Sequence, residues 1–238
     1  MLIFQLPTWL QRFFGGFTWR RSPDSKTVYL TFDDGPVPQV TPKVLDVLDS
    51  FGAKATFFCV GENAWRYPAL LDDIRRRGHA VGNHTYNHMQ GMRHGIRTYI
   101  ANVEKAERIL QSRLFRPPHG RLKHSQKEAL LMKYEIIQWD VLTHDYNRHF
   151  SPAFILWGIR RHVRNGSIIT FHDSVKSAER TLAVLPVALQ WLQEQGYQFG
   201  LLDEHEHHSA LEIKQQAVQQ TAAELLDRDP DTSPIRTS

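Results

Sequence analysis

Apolar and polar residues follow two rhythms along this chain, and the rhythms take turns. The runs VYLTF (28–32), ATFFCV (55–60), HAVGNH (79–84), YEIIQWDV (134–141), GSIITF (166–171) and YQFGLL (197–202) are rich in β-branched and aromatic residues, the pattern of buried strands. Between them apolar residues recur every three or four positions. Val44, Leu45, Leu48 and Phe51 predict a helix opened by a Thr41 cap and Pro42 and stopped by Gly52. Leu70, Leu71 and Ile74 predict a second, ended by Gly78, and Ile96, Ile100, Val103, Leu110 and Leu114 a long third. Ile155, Ile159 and Val163 mark another. Leu182, Leu185, Leu189 and Leu192 mark the last, in which Pro186 signals a late start or a kink. Six or seven strand–helix units in one chain imply a parallel sheet, open or closed into a barrel.

The pattern divides the 238 residues into three segments. Residues 1–27 hold six aromatics (Phe4, Trp9, Phe13, Phe14, Phe17 and Trp19), which either pack on the domain or lie in a membrane interface. This stretch lacks a basic start and a small-residue cleavage site, and no run reaches the length of a membrane helix. The expectation is a cytoplasmic protein or one at the inner face of a membrane. Residues 28–202 carry the alternating pattern, and residues 203–238 form a Gln-rich acidic tail with a helix expected over 211–226 and a disordered end. The body up to residue 202 has 26 basic against 17 acidic residues, and the tail 3 against 8. A basic body suits an acidic polymer, but no nucleic-acid recognition motif accompanies it, so nucleic acid is not an expected partner. A single cysteine, Cys59, excludes an intrachain disulfide framework. Histidine is abundant at thirteen residues, which directs attention to metal and proton-transfer chemistry.

Polar residues close successive strand patterns: Asp33 and Asp34, His84 and His88, Arg116 in FRPPHG, Asp145, then His172 and Asp173. In parallel α/β folds such residues converge on one mouth. His84 and His88 are four apart, a spacing that aims two imidazoles at one point, and a carboxylate from Asp33 or Asp34 completes a three-ligand metal set with one position open. Two adjacent carboxylates cannot both remain unpaired in a buried mouth. One is expected to bind metal and the other to take a proton from the attacking water. Asp-Asp-Gly-Pro is equally good turn chemistry on its own. Arg116, stiffened by Pro117 and Pro118, is suited to pairing with a catalytic carboxylate, and Asp145 to orienting His172 as a proton donor.

TFDDG (31–35), HTYNH (84–88), RPPHG (116–120), WDVLTHDY (139–146) and ITFHD (169–173) occur in the order of the five motifs of the NodB-homology polysaccharide deacetylases, carbohydrate esterase family 4, which the chain resembles over about residues 28–202. The resemblance implies an α/β fold, a distorted (β/α) barrel of seven parallel strands, and metal-dependent hydrolysis of acetyl groups on sugars. It implies Asp33 as catalytic base and Asp34, His84 and His88 as metal ligands. It also implies Arg116 as the residue holding the base, Asp145 as partner of the acid His172, and an oxyanion donor at a backbone amide near His119. His119, Gly120, Tyr146 and Thr170 fall where the family contacts substrate. The sequence departs from the family pattern there: His119 replaces a tyrosine, Tyr146 a tryptophan and Leu142 an aspartate, and Thr170 stands where an apolar residue often lines the acetyl pocket.

The implied cofactor is a divalent metal, zinc by ligand preference, with cobalt or nickel as substitutes. The implied partner is a glycan containing N-acetylglucosamine, peptidoglycan or chitooligosaccharide, taken by a monomer. O-acetylated xylan, a cyclic amide, or glycan binding without turnover are the competing readings.

Overall fold

Seven buried runs pair side by side because each has apolar residues on both faces, which only a sheet covered by helices can bury. The computed structural model describes residues 4–11 and 13–202, and residues up to Leu202 cluster as one compact unit. The expected tail helix at 211–226 lies outside the described residues. In chain order the elements are α1 (Thr8–Gln11), β1 (Phe17–Thr18), β2 (Thr27–Asp33), α2 (Thr41–Ser50), β3 (Thr56–Cys59), α3 (Gly61–Arg66), α4 (Pro68–Arg76), β4 (Ala80–Asn83) and α5 (Ile96–Leu110). They continue with β5 (Leu114–Phe115), α6 (His124–Leu131), β6 (Glu135–Ile137), β7 (Val141–Leu142), α7 (Pro152–His162), β8 (Ile168–His172), α8 (Ala178–Glu194) and β9 (Gln198–Gly200).

The sheet order is β1-β6-β5-β4-β3-β2-β8-β7, every ladder parallel, with β9 also pairing β2. The seven strands from β2 to β8 form the incomplete α/β barrel anticipated from the motifs, and β1 and β9 are additions. Phe32 stacks on Phe57 and Phe171 at 5.0 and 5.7 Å between ring centres, so the three central strands share one aromatic layer. Leu45, Leu48, Val184, Leu185 and Leu189 cover it from α2 and α8.

Four expectations are corrected. Helix α2 starts at Thr41 itself, with Val40 in the cap position. The Thr41 hydroxyl accepts from Val37 N (2.7 Å) and donates to Asp173 Oδ2 (2.6 Å), so it cannot cap the helix. Leu114 belongs to β5, because α5 ends where Gln111 turns left-handed (φ 47°). Of the two readings of Pro186 the late start is overturned, because Pro186 lies inside α8, which starts eight residues earlier at Ala178. Residues 134–141 are two strands rather than one. Gln138 N donates to Thr18 O and Asp140 N to Ile168 O, and between them the chain steps from the β6 edge to the β7 edge of the sheet.

That step leaves a seam between the two ends of the seven-strand order, and the N-terminal segment occupies it. Thr18 Oγ1 and the Arg21 guanidinium both donate to the Glu135 carboxylate, and Arg20 bridges Ser167 in an antiparallel sense. On the other bank Phe4 O accepts from Leu142 N (2.8 Å), and Gln5 Nε2 donates to His162 O. The buried Phe4 ring stacks on His162 and rests against Gly158, where a Cβ would overlap it. Trp9 and Phe13 are exposed, at 65% and 77%. No helix among the described residues is long and apolar enough to cross a membrane.

Replacing Phe4 by Ala should lower unfolding stability by about 3 kcal/mol, as removal of a buried aromatic ring does. Denaturant titration measures the loss, and limited proteolysis should then cut within residues 4–20 before the rest of the fold.

Candidate active site

Arg116 follows β5 and is fully buried. Its NH1 donates to Asp33 Oδ1 (2.7 Å) and Thr31 Oγ1 (2.8 Å), and its NH2 to Gln138 O (3.0 Å). The guanidinium plane lies 4.1 Å over the Phe58 ring centre. Phe58 can sit there because position 82 is glycine, whose Cβ would overlap the ring. Burial alone would raise the Asp33 carboxyl, but the Arg116 guanidinium, with smaller help from His84 and His172, holds it below its ordinary value. Asp33 is therefore an ionised carboxylate at the end of β2.

Arg116 also acts through its backbone. Its carbonyl lies 2.7 Å from His84 Nδ1, which fixes that nitrogen as the protonated donor and leaves Nε2 with the free lone pair. Burial pushes the His84 pKa down to about 4, so the ring is neutral, as a ligand must be. Asp34 Oδ1 lies 3.8 Å from His84 Nε2 and 3.3 Å from His88 Nε2. One donor atom from each of the three residues falls within 4.8 Å of the others. One carboxylate oxygen and two imidazole nitrogens, with a side open to a cavity, suit a divalent metal ion.

Across the cavity, His172 Nδ1 lies 2.7 Å from Asp145 Oδ1, and His172 N donates to Asp145 Oδ2. Thr181 Oγ1 donates to the same Oδ2 (2.7 Å), which fixes the carboxylate. Burial would lower the His172 pKa, but Asp145, aided by Asp34 and Asp33, raises it to about 9. At neutral pH the ring is a protonated acid.

These groups line one cavity of about 440 Å³ together with Pro117, His119, Trp139, Leu142, Tyr146, Ser174 and Lys176. Asp33, Asp34, His84, His88, His119, Tyr146 and His172 meet there as expected. Arg116 and Asp145 stand behind the wall, each holding a residue that lines it. Two expected contacts do not arrive. Thr170 is fully buried below the floor, hydrogen-bonded to Thr31 Oγ1, and its register partner Leu142 lines the wall instead. Gly120 N already donates to Pro117 O, and its Cα packs against Trp139.

Trp139, Ser174 and Lys176 were not singled out from sequence. Trp139, the first residue of the WDVLTHDY motif, carried a readable signal. Thr181 carried none, being one polar residue on an amphipathic helix. Left-handed backbone gathers at the site: Asp34 (φ 83°), Thr85 (65°), His88 (55°), His119 (60°) and His144 (57°).

The profile of the family described as polysaccharide deacetylase matches residues 20–136. A peptidoglycan-N-acetylglucosamine deacetylase of Bacillus cereus is 31% identical over 199 residues, covering 80% of this chain and 92% of the relative. The chain belongs to the polysaccharide deacetylase family. A second Bacillus cereus deacetylase of the same name is 37% identical, over 70% of this chain but 62% of its own length. Among solved structures, a peptidoglycan N-acetylglucosamine deacetylase in complex with a naphthalenyl-N-oxidanyl-benzamide aligns with a TM-score of 0.76 at 30% identity, covering 83% of this chain and 95% of that one. The shared fold therefore covers more of the chain than the matched profile does.

Replacing Arg116 by Met should cost about 3–5 kcal/mol of stability, because Asp33 would remain buried without its partner. Chemical denaturation of the two proteins measures this. The His172 pKa of about 9 exceeds the ordinary 6.5, so the stability from its pairing is complete below about pH 6.5 and lost as pH rises through 9. Unfolding titrations at pH 6 and pH 10 should show that loss in the parent and a smaller one in Asp145→Asn.

Proposed function

We propose that the chain is a metal-dependent hydrolase that removes the acetyl group from N-acetylglucosamine units of a glycan, peptidoglycan or chitooligosaccharide. One observation carries the reading: an Arg-held carboxylate and an Asp-held imidazolium face one cavity on either side of a three-donor group. A divalent ion held by Asp34, His84 and His88 would supply Lewis acidity toward the acetyl carbonyl and the attacking water.

The protein's own groups perform the proton transfers. Asp33, ionised by Arg116, accepts the proton of the attacking water. The backbone N–H of His119 donates to the oxyanion that forms on the acetyl carbon, since the neighbouring amide of Gly120 is taken. His172 gives its Nε2 proton to the departing amine, and Asp145 holds Nδ1 so that Nε2 faces the cavity. Tyr146, edge-on to His172 at 4.9 Å, and Trp139 offer aromatic walls for a sugar ring. With base, acid and ligands all present, turnover is favoured over glycan binding alone.

The test is acetate release from an N-acetylglucosamine tetramer. Asp33→Asn should lose roughly a thousandfold in kcat, within the range of a lost general base, while retaining bound metal by elemental analysis. His88→Ala should lose the metal. A strong chelator should abolish activity and added zinc restore it. Full activity in Asp33→Asn, or in chelated protein, would overturn the mechanism.

A further inference from the structure

A second cavity, of about 450 Å³, adjoins the first and shares His119 with it. Gln90, Met92, Arg93, Pro118 and Arg121 complete its walls, with Gly91 at its base. Its charge is one-sided. Arg93 and Arg121 make no ion pair with any acidic side chain among the described residues, and no aspartate or glutamate lines the cleft. The main cavity is mixed in charge, with Asp33 and Asp34 facing His172 and Lys176. An anionic group on a bound glycan is thus attracted to the cleft beside the site of chemistry.

The cleft is also preformed. Gln126 is fully buried, and its Nε2 donates to Gly91 O (2.9 Å) and His94 O (3.1 Å) while its Oε1 accepts from Lys123 N. This side chain ties the turn bearing Arg93 to the segment bearing Arg121. Gln90 Nε2, 2.9 Å from His119 Nε2, holds the residue that divides the two cavities. Both arginines project exposed guanidiniums, free to pair with a planar acid, from backbone that this network holds in place.

We propose that this cleft is a subsite for the carboxylate of the sugar adjoining the N-acetylglucosamine unit that is deacetylated. The inference rests on the deacetylase reading and narrows it, from acetylated glycans in general to those that carry an acid on the neighbouring residue. Arg93 and Arg121 select substrate; they take no part in bond cleavage.

Acetate release should be compared on three tetrasaccharides: alternating N-acetylglucosamine and N-acetylmuramic acid, the same with its carboxyls converted to methyl esters, and the neutral N-acetylglucosamine tetramer. The holoenzyme should show a KM about tenfold lower for the acid than for its ester, the worth of one well-placed charged contact. The double variant Arg93→Ala, Arg121→Ala should remove that difference, leaving kcat and the neutral tetramer unchanged within twofold. Calorimetric binding of the acid tetrasaccharide should weaken by the same factor. Equal KM values for acid and ester in the parent would overturn the subsite, as would an advantage that survives the double variant or one that disappears instead with Lys176→Ala. Turnover of the neutral tetramer in every case reports on the deacetylase reading separately. If it is present while the acid preference is absent, only the subsite fails.

Discussion

The site depends on one buried ion pair. Arg116 has no exposed surface, and the cost of removing a guanidinium from water is offset because its N–H donors and one face are used. Asp33, Thr31 and the Gln138 carbonyl take its protons, and Phe58 takes its plane. The same residue's carbonyl sets the tautomer of His84. A single position therefore fixes the ionisation of one functional group and the orientation of another. The requirement reaches outward to Gly82, whose missing side chain makes room for Phe58.

Backbone strain marks the cost of this arrangement. Five residues other than glycine adopt left-handed conformations around the cavity, each unfavourable by about 1 kcal/mol or more. The surrounding bonds that hold them are specific. Asn63 donates to Asp34 O, Asn83 accepts from Thr85 N, and Gln90 holds His119. The sixth such residue, Gln111, is a helix cap and lies elsewhere. Strain concentrated where side chains must point inward is the pattern of a preorganised site.

Much of this was legible in the sequence, for a physical reason. Parallel strands deliver their C-terminal ends to one side, so Asp33, His84, Arg116 and His172 could be read as neighbours from strand pattern and chemistry together. What escaped was depth and lateral position. Thr170 has the same strand parity as His172 but sits one pleat lower, beneath the cavity floor. YEIIQWDV reads as one strand from its β-branched and aromatic residues, and periodicity cannot show that the chain crosses from one edge of the sheet to the other within it. Gln126 and Thr181 are single polar residues on helices, and only the fold reveals the bonds they close.

The N-terminal segment has a consequence in time. Its partners are distant in the chain: the Gln5 side chain waits for His162, 157 residues downstream. During synthesis from the N-terminus, residues 4–20 emerge when neither bank of their seam exists, and closing so long a loop brings no reward until α7 is made. The segment is therefore made before the partners it docks on, and is among the last to dock. Leu142 lines the cavity while its amide is held from behind by Phe4 O. One wall of the pocket is thus completed by a segment made well before the wall itself, after almost everything else is in place.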